Sequence, residues 1–257
     1  MTFGMPFLLE HEDVEEACLL CRELGLSFVE LNANFPPCQG LGAEELLRLQ
    51  ERYGVFFTLH SEEELDPFAF QPVVRAAWIE VLRREIRLAK AAGMPVLNMH
   101  MPRGVYITLP TEKVFLYERY RGEYAAAVHE FRSICEDEAG YAGLRICIEN
   151  TNGFRPHEQE ALDYLLESPV FGLTLDIGHL HGAREVDLPF FAKRRERLNH
   201  MHGHDARGRQ DHLALGDGEI DLKARFRQAK ESNARMVLET KTVQALRTSV
   251  QRLPAWL

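Results

Sequence analysis

Short, near-continuous apolar runs alternate along the chain with longer amphipathic stretches, and the alternation predicts a strand–helix repeat. GMPFLLE is the first strand, and Glu12 to Gly25 is an amphipathic helix closed by its glycine. SFVELN is the second strand, carrying Glu30, and a Pro-containing loop leads to a helix near Ala43 to Tyr53. VFFTLH ends at His60, and a loop with Asp66 and Pro67 enters a long helix from Val73 to Ala92, stopped by Gly93. PVLNMH ends at His100, MPRGVYITLPTEK is a long loop, and Val114 to Glu138 is a helix. The second half repeats the scheme. LRICIEN ends in Glu149 and Asn150 before a helix from His157 to Glu167. FGLTLD ends at Asp176, the loop IGHLHGAREVDL carries His179, and a short helix lies near Pro189 to Arg194. LNHMH ends at His202, Asp221 to Ser232 is helical, RMVLET carries Glu239, and Val243 to Leu253 closes the chain.

Eight strand–helix pairs in 257 residues, with strands apolar on both faces, predict a single (β/α)8 barrel spanning 1–257. A doubly wound open sheet is the competing architecture; it needs fewer strands, and neither GxGxxG nor a phosphate loop is present. The barrel has a further consequence. Parallel strands finish at one rim, so the polar residues closing strands three to eight (His60, His100, Glu149, Asp176, His202 and Glu239) converge although they are scattered along the sequence.

Singly, each of these residues is equally well read as a helix cap or a hydrogen-bonded strand end. Together they are not, because helix caps do not favour imidazole, and clustered carboxylates repel unless a cation or protons neutralise them. Imidazole with carboxylate suits Zn or Mn, whereas Mg prefers more oxygen. The segment LNHMHGHDARGRQDHLALGDG adds His200, His204, His212, Asp205, Asp211 and Asp217. His200, His202 and His204 alternate by two and face one side, which makes His200 an inner-barrel residue and His204 a rim residue, while His212 lies on a loop able to fold over the rim.

Composition narrows the setting. The 46% hydrophobic content fills one full core, and no linker or low-complexity stretch divides the chain. A net charge of −9 gives no reason to expect nucleic acid, although a local groove or bound metal is compatible with it. The N-terminus lacks signal-peptide features and no apolar run reaches membrane length, so a soluble cytoplasmic protein is expected; oligomeric state is not encoded legibly. Five cysteines do not make a disulfide framework, and the CxxC of Cys18 and Cys21 falls on the apolar face of a helix, where packing is expected. Arg103 and Arg155 are placed to bind a substrate anion, although a surface salt bridge is the expected role of each. Lys241 is expected in a solvated or phosphate-facing role rather than as a Schiff-base lysine, Glu30 lies outside the converging set, and Trp78 and Trp256 read as packing residues.

CIEN, LDIGH, HMHGHD with DHLALGDGEID, and LETK, in this order and at these spacings, resemble the xylose isomerase-like barrel superfamily over essentially the whole chain. That superfamily includes sugar isomerases and epimerases as well as endonuclease IV. By resemblance to the ketose epimerase branch, Glu149, Asp176, His202 and Glu239 would hold one ion, with His179 on substrate oxygens. The two glutamates would move a proton next to a metal-polarised carbonyl, through an enediolate, in a sugar or sugar phosphate. The chain departs from that branch at Arg155, where a further Glu is common. By resemblance to endonuclease IV, His60, His100, His179 and His212 would complete a site of two or three zinc ions in a phosphoesterase or abasic-site nuclease. Here the departures are Gln210 in place of a carboxylate and the absence of the Gly-Ala-His opening. A purely structural ion is the weakest alternative, since structural zinc sites are closed and thiolate-rich.

Overall fold

Parallel pairing requires a crossover between successive strands, and the chain supplies a helical one after most apolar runs. The computed structural model describes residues 1–140 and 143–257. Its strands are Phe3–Pro6 (β1), Phe28–Asn32 (β2), Phe56–His60 (β3), Val96–His100 (β4), Tyr106–Thr108 (β5), Lys113–Phe115 (β6), Arg145–Glu149 (β7), Phe171–Asp176 (β8), Leu198–His202 (β9), Asp205–Arg207 (β10), Gln210–Leu213 (β11) and Arg235–Val237 (β12). Its helices are Val14–Glu23 (α1), Ala43–Tyr53 (α2), Pro72–Ala91 (α3), Leu116–Arg119 (α4), Arg121–Ala139 (α5), Pro156–Leu166 (α6), Ile177–Gly182 (α7), Leu188–Lys193 (α8), Leu222–Ser232 (α9) and Val243–Arg252 (α10). Eight strands close a parallel barrel in the order β1-β12-β9-β8-β7-β4-β3-β2, as the apolar runs predict. β8 is buried at every position because side chains fill one face and helices cover the other.

Local chemistry sets the element ends. The Asp13 side chain accepts the Glu16 N–H and starts α1, and Gly54 ends α2 with φ 67°, a conformation open to glycine. Gly4 permits barrel closure: a Cβ there would lie 2.5 Å from the Phe28 ring across the β1–β2 pair.

Three segments differ from the sequence-based expectation. The long loop after β4 folds back as an antiparallel hairpin, β5 with β6, pairing Tyr106 with Phe115 and Ile107 with Val114; these are β-branched and aromatic residues. The predicted helix from Val114 therefore begins as a strand, and it breaks again at Tyr120 between α4 and α5. The segment after β8 is helical rather than a loop, because the Asp176 carboxylate accepts the His179 N–H at 2.6 Å and caps α7. The loop beyond β9 is a second hairpin, β10 with β11, turning at Gly208. All five cysteines are buried and unpaired; burial pushes the Cys18 and Cys21 thiols up to about 12, as befits packed, unreactive thiols on the inner face of α1. No described helix is long and apolar enough to cross a membrane. Trp78 and Trp256 pack against the core.

Candidate metal centre

Strand register brings the polar strand ends together. His60, His100, Glu149, Asp176 and His202 are the last residues of β3, β4, β7, β8 and β9, with His100 opposite Glu149 and Asp176 opposite His202. Glu239 stands two residues beyond β12, held by its N–H donating to the Gly203 carbonyl at 3.0 Å. Three carboxylates then approach one atom: His202 Nδ1 lies 3.0 Å from Glu239 Oε2, 3.3 Å from Glu149 Oε1 and 3.7 Å from Asp176 Oδ2. Neither His202 Nδ1 nor Glu149 Oε1 makes a hydrogen bond, and both are buried. A single imidazole proton cannot satisfy three carboxylates. A divalent cation can, so the residues present fit one.

The electrostatics show the same imbalance. Burial opposes ionisation of Glu149, yet the imidazoles of His202 and His100 hold its carboxyl well below the usual range. Burial likewise opposes protonation of His60 and His179, but Glu149 lifts the first to about 9, and Asp176 with Glu149 lifts the second to about 10. Without a cation, protons gather on His60, His179 and His202 to balance the acids, while burial holds His100 and His200 below the usual imidazole range.

Partners beneath the rim fix these rings. Glu30, excluded by sequence reasoning, is buried on β2; its Oε2 receives His200 Nε2 at 2.8 Å and the Thr58 hydroxyl at 3.1 Å, while Oε1 lies 2.9 Å from His202 Nε2. A carboxylate behind a ring nitrogen is the arrangement that leaves the opposite nitrogen free to ligate. Asn98, also missed, donates to Glu149 Oε2 from β4. A buried polar residue at an inward strand position was the available signal for both. His60 Nδ1 donates to the Ser61 carbonyl at 2.8 Å, which leaves Nε2 facing Glu149 Oε2 at 3.5 Å. His60, His100 and Glu149 thus form a second group with ligand atoms within 4.8 Å of one another, and Asp176, His204, His212 and Glu239 form a third.

His204 is not free to ligate in that third group. Its Nδ1 accepts the His212 backbone N–H at 2.8 Å, so the ring proton sits on Nε2, which lies 3.1 Å from both Asp176 oxygens. It therefore acts as a donor to Asp176. Its ring stacks on His212 at 4.3 Å and fills the space left by Gly178, where any Cβ would strike it. His212 donates from Nδ1 to Asp211 at 2.9 Å and points Nε2 toward Glu239 at 3.6 Å. His179 spends its Nδ1 on the Asn150 carbonyl at 3.1 Å.

A family model described as the xylose isomerase-like TIM barrel matches residues 18–257. The chain belongs to that family. Among solved structures, this xylose isomerase-like barrel resembles a D-tagatose 3-epimerase-like protein, at 24% identity and TM-score 0.78 over 100% of this chain and 97% of that one. It also resembles a D-psicose 3-epimerase from Clostridium cellulolyticum H10, at 13% identity and TM-score 0.77 over 100% and 98%. A 3-keto-D-glucoside 4-epimerase from E. coli matches at 14% identity and TM-score 0.76 over 100% and 98%. These likenesses are of the fold. No curated protein matches the chain significantly in sequence.

Two cations near the site, Lys241 and Arg155, are engaged. Lys241 is exposed and pairs with Glu239 Oε1 at 2.8 Å. Arg155 lies over the Phe115 ring at 3.4 Å and pairs with Glu158, as its expected ion-pair role requires. Asp205 is buried under the β10–β11 hairpin, accepting N–H groups from Ala206, Gly216 and Ile220 at 2.9, 2.9 and 3.1 Å.

Proposed function

We propose that this single-domain barrel is a metal-dependent isomerase or epimerase of a small sugar, binding one Zn or Mn ion through Glu149, Asp176, His202 and Glu239. The convergence of three carboxylates on the unpartnered His202 Nδ1 carries the reading. A bound ion would supply Lewis-acid polarisation of the sugar's carbonyl and hydroxyl oxygens. Glu149, whose Oε1 has no donor, takes the proton from the carbon beside the carbonyl. Glu239, kept ionised against its burial first by the His202 imidazole and then by His212 and Lys241, exchanges the proton on the other face. His179 orients substrate oxygens beside both carboxylates. Glu30 and Asn98 hold His202 and Glu149 in place. Five unpaired buried thiols support a cytoplasmic location.

The test is hydrogen exchange. Metal-loaded protein with a panel of ketoses in heavy water should place deuterium beside the carbonyl, followed by proton NMR, and chelation should abolish the exchange. Full-rate exchange after chelation would overturn the reading.

A specific observation favours a second reading, a zinc phosphoesterase of the endonuclease IV type with two or three ions. His60 and His100 form a ligand-spaced group with Glu149 that a single-ion enzyme does not require. Metal counting separates the two: one ion per chain supports the isomerase, two or three the phosphoesterase.

A further inference from the structure

Beside His100 the rim opens into a cavity of about 800 Å³, between the segment after β3 and the β5–β6 hairpin. That volume stands near the upper end of what a drug-sized ligand fills, so one sugar ring at the metal centre would leave most of it to water. Thr151 and Asn152, just beyond Glu149, form its inner border, so the cavity continues directly from the site.

Its walls state what the rest of a ligand should be. Arg103 is the one Lys or Arg among the described lining residues, and it is outnumbered by Glu63, Glu64 and Asp66. Arg155 and Lys241, the nearby cations able to recruit a phosphate, are tied to Phe115 with Glu158 and to Glu239. A phosphate would meet like charge without a dedicated clamp. Carboxylates are instead acceptors suited to hydroxyl groups, and Asp66 already takes one, the Tyr117 O–H at 2.6 Å. Phe70 and Trp78 supply flat apolar surface in the same cavity. Acceptors beside aromatic faces suit a polyhydroxylated ring with apolar C–H faces.

We propose that the site takes an unphosphorylated sugar extended by a second, uncharged sugar ring, with the reacting sugar at the metal centre and the second ring in the cavity against Phe70 and Trp78. The inference rests on the isomerase reading and adds the substrate class. It removes the sugar phosphate from the two classes left open by the sequence.

Binding of four probes to the metal-loaded full chain tests it: D-fructose, fructose 6-phosphate, and the ketose disaccharides isomaltulose and lactulose, in which a second ring is joined at different positions. At least one disaccharide should bind about tenfold more tightly than fructose by calorimetry, and the phosphate ester should show no such gain. Val74→Arg, at a lining position that is 45% exposed, should cancel the disaccharide advantage while leaving the fructose Kd unchanged. Trp78→Leu provides an independent second variant with the same expectation. Disaccharides binding no better than fructose, or a phosphate ester binding best, would overturn the extended-substrate proposal and leave the isomerase reading standing. If no probe binds or exchanges hydrogen although metal is bound, both fall.

Discussion

His204 offers the sharpest test of the geometry, because its two ring nitrogens have separate tasks. Nδ1 accepts the His212 N–H and Nε2 donates to Asp176. Amides divide those tasks: Asn places an oxygen near the Nδ1 position, and Gln places an N–H near the Nε2 position. A hydrogen bond to a charged acceptor contributes about 1.5–3 kcal/mol, equivalent to roughly 10–150-fold in an equilibrium constant. Loss of a carboxylate ligand's supporting partner typically costs about 10–100-fold in metal affinity. His204→Asn should therefore weaken zinc binding by one to two orders of magnitude, on the order given by that range, while His204→Gln stays near wild type. Gln leaves the His212 N–H unpartnered, and that should appear as a lower unfolding temperature, a loss of about 1–3 kcal/mol. Competition against a fluorescent zinc chelator reads the affinity, and thermal unfolding of the metal-free protein reads stability. Wild-type zinc affinity in His204→Asn, or an equal loss in both variants, would show that the ring ligates or does nothing, and the tautomer argument would be wrong.

Other outcomes follow from the same site. Glu149→Gln should retain the barrel by circular dichroism yet lower hydrogen exchange by about 10²–10⁴-fold, the usual worth of a positioned base; exchange within a factor of a few of wild type would contradict its role. Metal affinity should rise from pH 7 to pH 9. In the metal-free protein the carboxylates of Glu149, Glu239 and Glu30 hold a proton on His202 well above the usual imidazole range despite its burial. This ligand must shed its proton to bind, the neighbouring His60 and His179 stay cationic up to about 9 and about 10 and repel the ion, and both costs fall as pH climbs. Calorimetry in buffers of different ionisation heat should detect proton release, and a pH-independent affinity without release would refute the charge balance. The five buried thiols should ignore Ellman's reagent in the native protein and all react in denaturant; fast labelling of Cys18 or Cys21 would show that α1 does not pack as described.

The barrel was legible because its signal is repeated: each apolar run ends in a polar residue, and parallel register does the rest. Five of the six predicted rim residues are the last residues of strands, and Glu239 lies just beyond one. What remained hidden depends on partners distant in sequence. Glu30 looks like any strand-end acid until closure sets it under His200 and His202, across 170 positions in the first pair. His204 looks like a ligand or a rim residue until the backbone N–H of His212 determines its tautomer. The β5–β6 hairpin was hidden because a run such as VYIT, beside Gly and Pro, fits a loop or a strand until its partner is known.

Asp205 gives the rim an asymmetry in motion. With three backbone N–H groups turned onto one buried carboxylate, and Gly218 packed where no side chain could fit, the segment bearing His212 loses its conformational freedom when the chain folds. Its ordering entropy is therefore not charged again to the binding of a ligand. The β5–β6 hairpin carries Val105, Ile107 and Leu109 exposed and is held by the Arg155 guanidinium over the Phe115 ring; among the described residues no buried carboxylate gathers its backbone N–H groups as Asp205 does. Ligands should enter and leave on the hairpin side, and residence time should respond to changes there, while changes around Asp205 should be felt mainly as altered affinity.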